Sequence, residues 1–277
     1  MSIRTDLAVE KRGEILKSDN IKTEKIKLER VEIDRMAVKS DSEGGIIKGN
    51  YVTISFDKFT PDDLSGELHT AIKTELSALL KSNDRVLVVG LGNRDITPDA
   101  IGPRVVDKIF STRHIKKAMA EEVGLKGLRS VSAIATGVLG QTGIEAAEII
   151  LGAVEKTKPT AVIVIDALAA GDISRLGSTV QMTDSGIRPG SGVGNSRAEI
   201  SEKTIGVPTV AIGVPTVVDA ASFAEDLIKT EYRGGGATLM VTPRDIDTMI
   251  NYSAKTIAHA INCALQPEIE SSILLAL

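Results

Sequence analysis

Val86-Leu87-Val88-Val89-Gly90-Leu91-Gly92-Asn93-Arg94-Asp95-Ile96-Thr97-Pro98-Asp99 decides how this chain folds, together with a matching run downstream, Ala161-Val162-Ile163-Val164-Ile165-Asp166-Ala167-Leu168. Each is a short apolar, β-branched run that ends at a polar turn carrying an aspartate. Runs of that length, bounded by turn signals, suit strands buried on both faces of a parallel sheet. Ligands of such sheets bind outside the carboxyl ends of the strands. Asp99 and Asp166 are therefore expected in one crevice, delivered by two different strands. Two carboxylates in one site can divide acid and base work between them.

Working outward, strands and helices alternate from Arg85 onward. The reading places strands near 85–90, 129–134, 160–165, 178–182, 208–213 and 237–241. Helices fall near 98–113, 142–156, 217–230 and 243–264, with another over 62–82 from Leu64, Leu68, Ile72 and Leu76. Alternation of this kind gives an α/β fold with a parallel-rich sheet and helices on both faces. Thr142-Gly143-Ile144-Glu145 fits a capping box at a helix start. Ahead of this core, IKLERVEID alternates like a half-exposed strand, and IIKGNYVTISF reads as a second strand beyond Gly44-Gly45. Together they suggest a small peripheral β extension over residues 7–60; a solvated N-terminal segment is the other reading. Gly234-Gly235-Gly236 is a short flexible joint.

Composition narrows the classes. Of 277 residues, 42% are hydrophobic but only 3% aromatic, so the core is built of Val, Ile, Leu and Ala. With 33 basic against 37 acidic residues, the net charge of −4 argues against direct nucleic-acid binding, which needs a basic footprint. Cys263 is the single cysteine, so no internal disulfide or thiolate cluster can form. The N-terminal stretch has no apolar h-region, and no run approaches the roughly 20 apolar residues that span a bilayer. The chain reads as cytosolic, with no membrane partner.

For Asp99, Thr97 at N-cap and Pro98 at N1 would start a helix, whose dipole favours an ionised carboxylate. Gly102-Pro103 marks a second possible start, and a plain capping role for Asp99 stays open. Asp166 follows a buried strand, where desolvation raises a carboxyl pKa; a turn-forming role stays open. The glycine-rich loop TDSGIRPGSGVGNSR, residues 183–197, offers backbone N–H groups to a substrate. Its Arg188, Asn195 and Arg197, with Asn93 after the first strand, are candidate substrate-binding residues. Gly90-Leu91-Gly92 does not complete a dinucleotide fingerprint, because the third glycine position is Asp95. No serine sits in GxSxG. His69, His114 and His259 are far apart in sequence, none forms HExxH, and each reads as a surface or packing residue. Cys263 reads as core. No cofactor and no metal are expected.

GLGNRDITPDAIGP, SAIATGVLGQTGIE, VIDALAA, TDSGIRPGSGVGN and IGVPTVVDA resemble the bacterial spore germination protease family, over about Arg4 to Ala264. A weaker likeness, GN…DAIG and the aspartate of IDA, is to the nickel-sensing endopeptidases that mature hydrogenases. The first resemblance implies an endopeptidase acting on small acid-soluble DNA-coating spore proteins, a zymogen, a homotetramer in the spore core, and catalytic Asp99 and Asp166. It also implies a three-layer α/β/α, phosphorylase/hydrolase-like fold. Arg4-Thr5-Asp6-Leu7-Ala8 resembles the family's self-processing sequence, so cleavage between Asp6 and Leu7 would make residues 1–6 a pro-peptide and 7–277 the peptidase domain. Relatives in that family carry a longer insert near Gly234. The second likeness keeps an alternative open, a metal-dependent maturation-type peptidase or metal-sensing protein.

Overall fold

Alternating side chains along the two decisive strands feed two separate cores. In the computed structural model, Val86, Val88, Ile163 and Ile165 pack into one buried cluster, whereas Leu87, Val89, Val162 and Val164 pack into another. A strand buried on both faces must sit between two layers, and the rest of the fold supplies them. The structure describes residues 6–7, 10, 20–41, 46–80, 85–122, 125, 127–190, 197–228 and 239–276.

The described strands are β1 (Ile21–Lys27), β2 (Glu32–Val38), β3 (Gly49–Ser55), β4 (Arg85–Leu91), β5 (Ser130–Gly137), β6 (Ala161–Ala170), β7 (Thr179–Thr183), β8 (Thr209–Asp219) and β9 (Met240–Val241). The helices are α1 (Glu67–Leu79), α2 (Ile101–Val106), α3 (Lys117–Glu122), α4 (Leu139–Thr142), α5 (Ala146–Thr157), α6 (Glu202–Ile205), α7 (Ala220–Ile228), α8 (Ile246–Leu265) and α9 (Ser271–Ala276). The nine strands form one sheet in the order β1-β2-β3-β7-β8-β6-β4-β5, with β9 paired to β8. The section β8-β6-β4-β5 is parallel, and β1-β2-β3-β7-β8 is antiparallel. One face is covered by α1, α2 and α8, through Leu68, Ile72, Leu76, Ile101, Ile257 and Ile261. The other carries α5 and α6, through Ile150 and Ile205. The expected three-layer α/β/α fold with a mixed, parallel-rich sheet is the observed one.

Local readings needed correction. IKLERVEID is not one strand: it spans the end of β1, a turn at 28–31 and the start of β2, paired antiparallel with Ile26 opposite Ile33. These strands form no sheet of their own, since β3 pairs with β7 and extends the main sheet. The helix expected over 98–113 shrinks to α2, preceded by a 3-10 turn Thr97–Asp99. Its N-cap is Ile96, not Thr97, and the alternative start at Gly102-Pro103 lies in the first turn of α2. Thr142 closes α4 instead of opening a helix, and the capping box is made by Glu145 and Glu148 at the start of α5. Strand β8 runs on to Asp219, six residues beyond the expected end, so α7 begins later than expected. Gly44-Gly45 and Gly234 to Gly236 lie outside the described residues.

Candidate active site

The chain leaves β4 to form β5 on one side, then returns to place β6 on the other side of β4. That reversal is a topological switch point, where loops diverge and leave a crevice at the strand ends. Asp166 does not end β6 as expected. It lies inside it, at the residue where β4 peels away: Gly90 is the last β4 residue paired to β6, opposite Ile165, while Asp166 and the residues to Ala170 pair with β8 alone. One side of β6 is thereby opened at the aspartate. Asp99 reaches the same place from the turn after β4.

Three glycines allow that approach. Gly92 has φ +105°, and a Cβ there would lie 2.0 Å from the Asp99 carbonyl oxygen. A Cβ on Gly90 would meet the Gly102 carbonyl oxygen at 2.2 Å, and one on Gly102 would meet Leu91 O at 2.2 Å and Ile165 O at 2.7 Å. The Gly-Leu-Gly run therefore serves backbone packing between β4, β6 and α2. Fixing the turn further, the Asn93 N–H donates to Asp99 Oδ2 at 2.7 Å. Asn93 Oδ1 accepts from the Asp95 N–H at 2.9 Å and from Gln141 Nε2 at 2.8 Å. Arg94 clamps the Asp107 carboxylate with two hydrogen bonds, anchoring the loop to the end of α2.

Asp99 and Asp166 line one groove of about 580 Å³. Its walls are largely apolar, with Ile96, Val138, Leu139, Leu168, Val217 and Met240, which suits the side chains of a peptide. Burial pushes the Asp166 carboxyl well above the usual carboxylate range, and the charges of Asp99 and then Asp6 push it the same way; the Ala167 N–H, 2.9 Å from Oδ1, opposes them. Burial also raises Asp99, against the hydrogen bond from Asn93. The opposite biases expected for the two carboxyls are thus replaced by one direction and unequal extents. A helix dipole does not hold Asp99 down, because a 3-10 turn is too short to supply one. Asp99 is still the easier of the two to ionise, and its charge helps Asp166 keep a proton.

The other candidates divide. Asn93 and Arg197 line the groove, as does Asp6. Arg188 lines an adjoining cavity of about 130 Å³ that shares Asp6 and Leu168 with it. Each arginine has a carboxylate of its own: Arg188 meets Glu199 at 3.0 Å, and Arg197 lies 3.8 Å from Glu145. Asn195 lies outside the described residues. Asp6 is held beside the groove by Ala169, and Leu7 is fully buried against Leu168 and Ala170.

Two groove features escaped the sequence reading. Gln141 holds Asn93, and its signal was its place in the GVLGQTG motif. Thr216, at the bulge where β8 slips against β6, lines the groove, and its hydroxyl is buried with no hydrogen-bond partner among the described residues. Nothing in the sequence distinguishes it from an ordinary strand threonine. The histidine reading also changes: His69 and His259 stack, with ring centroids 4.6 Å apart, on helices at the sheet face covered by α1 and α8. Cys263 is buried, as expected.

A protein-family model described as germination protease matches residues 4–233. The chain is 40% identical to the germination protease of Clostridium acetobutylicum, over 98% of this chain and 97% of that one. It is 41% identical to that of Caldanaerobacter subterraneus, covering 96% and 95%, and 44% identical to that of a Geobacillus species, covering 82% and 66%. Among solved structures, a hydrogenase maturation protease, HycI, from Thermococcus kodakarensis aligns with TM-score 0.42 and 19% identity, over 69% of this chain and 98% of that one.

Proposed function

This chain belongs to the germination protease family and is an endopeptidase; from that premise we propose that it opens small acid-soluble DNA-coating spore proteins, using Asp99 and Asp166 on a water. The observation that carries the reading is the pair of carboxylates at the switch point, Asp166 buried and Asp99 half-buried, sharing one apolar groove. Asp99, the easier to ionise, takes a proton from the attacking water. Asp166, the harder to ionise, keeps its proton and polarises the scissile carbonyl. On attack Asp166 gives its proton to the carbonyl oxygen; Asp99 then passes the water proton to the leaving amine, and as the C–N bond breaks Asp166 takes a proton back from one of the carbon-bound hydroxyls. The groove residues include neither histidine nor cysteine among those described. That donor set suits nickel or zinc poorly, which weighs against the metal-dependent alternative.

The same groove supports a zymogen. Asp6 lies along β6 beside it, Glu10 accepts hydrogen bonds from the Gly171 and Asp172 N–H groups, and Arg175 sits 3.4 Å from Glu10. The bond between Asp6 and Leu7 thereby lies next to the groove, and cutting it frees Asp6 from Ala169 while Leu7 and Glu10 stay on the mature chain. The family resemblance further gives a homotetramer working in the spore core. No helix among the described residues is long and apolar enough to cross a membrane.

The test is mass spectrometry of a small acid-soluble spore protein after incubation with wild type and with Asp166→Asn. Discrete cleavage by wild type alone supports the reading. Cleavage by both removes Asp166 from the chemistry, and cleavage by neither removes this substrate class.

A further inference from the structure

Far from the groove, α1 and α8 bring together three buried side chains that peptide cleavage does not use. His69, on α1, faces His259 and Cys263, which lie one turn apart on α8. All are at least nine-tenths buried, at 6%, 4% and 4% exposure. One ligand atom from each lies within 4.8 Å of the other two. Asp247, at the groove end of α8, is twelve residues from His259, about 18 Å along the helix.

The cluster is polar in an apolar place, and its hydrogen bonding is incomplete. His259 Nε2 lies 3.0 Å from Ser271 Oγ, and Cys263 Sγ lies 3.5 Å from the same oxygen and 3.7 Å from His259 Nε2. His69 Nε2 is buried with no hydrogen-bond partner among the described residues. A buried nitrogen without a partner costs stability, unless something else occupies its lone pair. Burial, with His259 and Lys73 adding to it, pulls His69 down to about 4, and burial lowers His259 too.

The geometry points to a structural metal site in which His69, His259 and Cys263 bind one zinc ion, with Ser271 or a water as the fourth ligand. Two imidazoles and a thiolate are a zinc donor set, and structural zinc is four-coordinate. Ligand atoms around zinc sit about 3.4–3.7 Å apart, given bonds of 2.0–2.3 Å. The stacked rings must therefore splay and the cluster close by about 1 Å. Binding releases the thiol proton to solvent. The ion would tie α1 to α8 and to the C-terminal α9, whose Leu274 packs with Cys263.

The test strips the purified full-length protein with a chelator and then titrates it with Co²⁺ and, separately, Zn²⁺. The expected result is one metal per chain and a near-ultraviolet thiolate-to-cobalt charge-transfer band. Zinc at a hundredfold excess over its Kd should raise Tm by about 5–10 °C. Cys263→Ser, which nearly keeps side-chain size, should lose the band, and His69→Gln should lose the Tm rise. Asp166→Asn should keep both. Circular dichroism shows that each variant is folded, and substrate cleavage shows it again for Cys263→Ser and His69→Gln. No band and no Tm rise in folded wild type overturn the site. A band that survives in folded Cys263→Ser overturns it as well, since the metal then sits elsewhere.

Discussion

Asp6 holds Ala169 with one backbone and one side-chain hydrogen bond: the Asp6 N–H donates to the Ala169 carbonyl at 3.0 Å, and the Ala169 N–H donates to the Asp6 carboxylate at 3.0 Å. Ala169 is three residues beyond Asp166, on the same strand. A segment that lies on β6 in this way is positioned as a peptide substrate would be. Its negative charge also raises the pKa of Asp166, which favours the singly protonated pair.

Processing at Asp6–Leu7 follows. Leu7 is wholly buried, so the bond must lift from its pocket before it is cut. Incubation at mildly acidic pH is expected to give a new N-terminus at Leu7 in wild type and none in Asp166→Asn. N-terminal sequencing reads this directly. An active enzyme that retains an uncut Asp6–Leu7 bond would refute the pro-peptide.

Both carboxylates are needed for cleavage. Asp99→Asn and Asp166→Asn keep shape and remove an acid–base group, a loss of ~10²–10⁴-fold or more in kcat. Steady-state kinetics with circular dichroism as a folding control decides it. Near-wild-type turnover in either variant takes that residue out of the mechanism.

Asp166 carries a stability cost with a definite sign. Asp166 binds its proton more tightly folded than unfolded. Its stabilising contribution is therefore complete below the unfolded value, ~3.9, and is lost as pH rises through the higher folded value. Asp99 has the same sign. Asp166→Asn should accordingly match wild type near pH 4 and exceed it near pH 7, by about 2–4 °C in Tm per kcal/mol of relieved cost. Thermal melts of both proteins across that range would show a gap that widens with pH. A gap that is constant or reversed would mean that Asp166 is not destabilised by its burial.

Much of this site was legible because buried parallel strands announce themselves. Val86 to Val89 and Ala161 to Ile165 are apolar without alternation, which fits strands covered on both faces, and the switch-point rule then places both aspartates in one crevice. What stayed hidden depended on distant partners. The β1–β2 hairpin escapes a local reading because its turn shows only as a one-residue slip at Glu29-Arg30, from Ile26 and Leu28 to Val31 and Ile33, with no Gly or Pro to mark it. Asp99 was read on a helix because Thr-Pro is a strong start signal. The contacts of Gly92 with Asp99 and of Gly102 with Leu91 and Ile165 set the turn instead, and no local pattern reports them. His69 and His259 are 190 residues apart in sequence, so only the packing of α1 on α8 could pair them.

Thr216 should position substrate. The residue lines the groove, and its buried hydroxyl has no partner among the described residues; a small local shift on binding would let a peptide backbone group supply one. Thr216→Val keeps the shape and removes the hydrogen bond, worth about 0.5–1.5 kcal/mol. The expected change is a drop in kcat/KM of about 2–12-fold with Tm unchanged or raised. Unaltered kinetics would make Thr216 a packing residue only.

Gly92 should be irreplaceable for the reaction, for reasons that are steric before they are chemical. At φ +105° the backbone is in a region that residues with a side chain rarely adopt. The added methyl of Gly92→Ala would also lie 2.0 Å from the Asp99 carbonyl oxygen and 3.0 Å from Oδ1. Neither neighbour is a flexible side-chain tip: the first is backbone, and the second belongs to a carboxylate whose other oxygen, Oδ2, accepts from the Asn93 N–H. The turn must move, and with it the carboxylate that faces Asp166. Overpacking of this kind costs about 1–3 kcal/mol, added to the strain of the backbone. Displacement of a reacting group by about 1 Å costs around 10²-fold in rate. Gly143→Ala is the matched control: it too has positive φ, +71°, but nothing lies within 4 Å of its Cβ position. Both variants should lose stability, and only Gly92→Ala should lose about 10²-fold in kcat at temperatures where both are folded. Equal turnover in the two would show that close contact between Gly92 and Asp99 does not place the carboxylate.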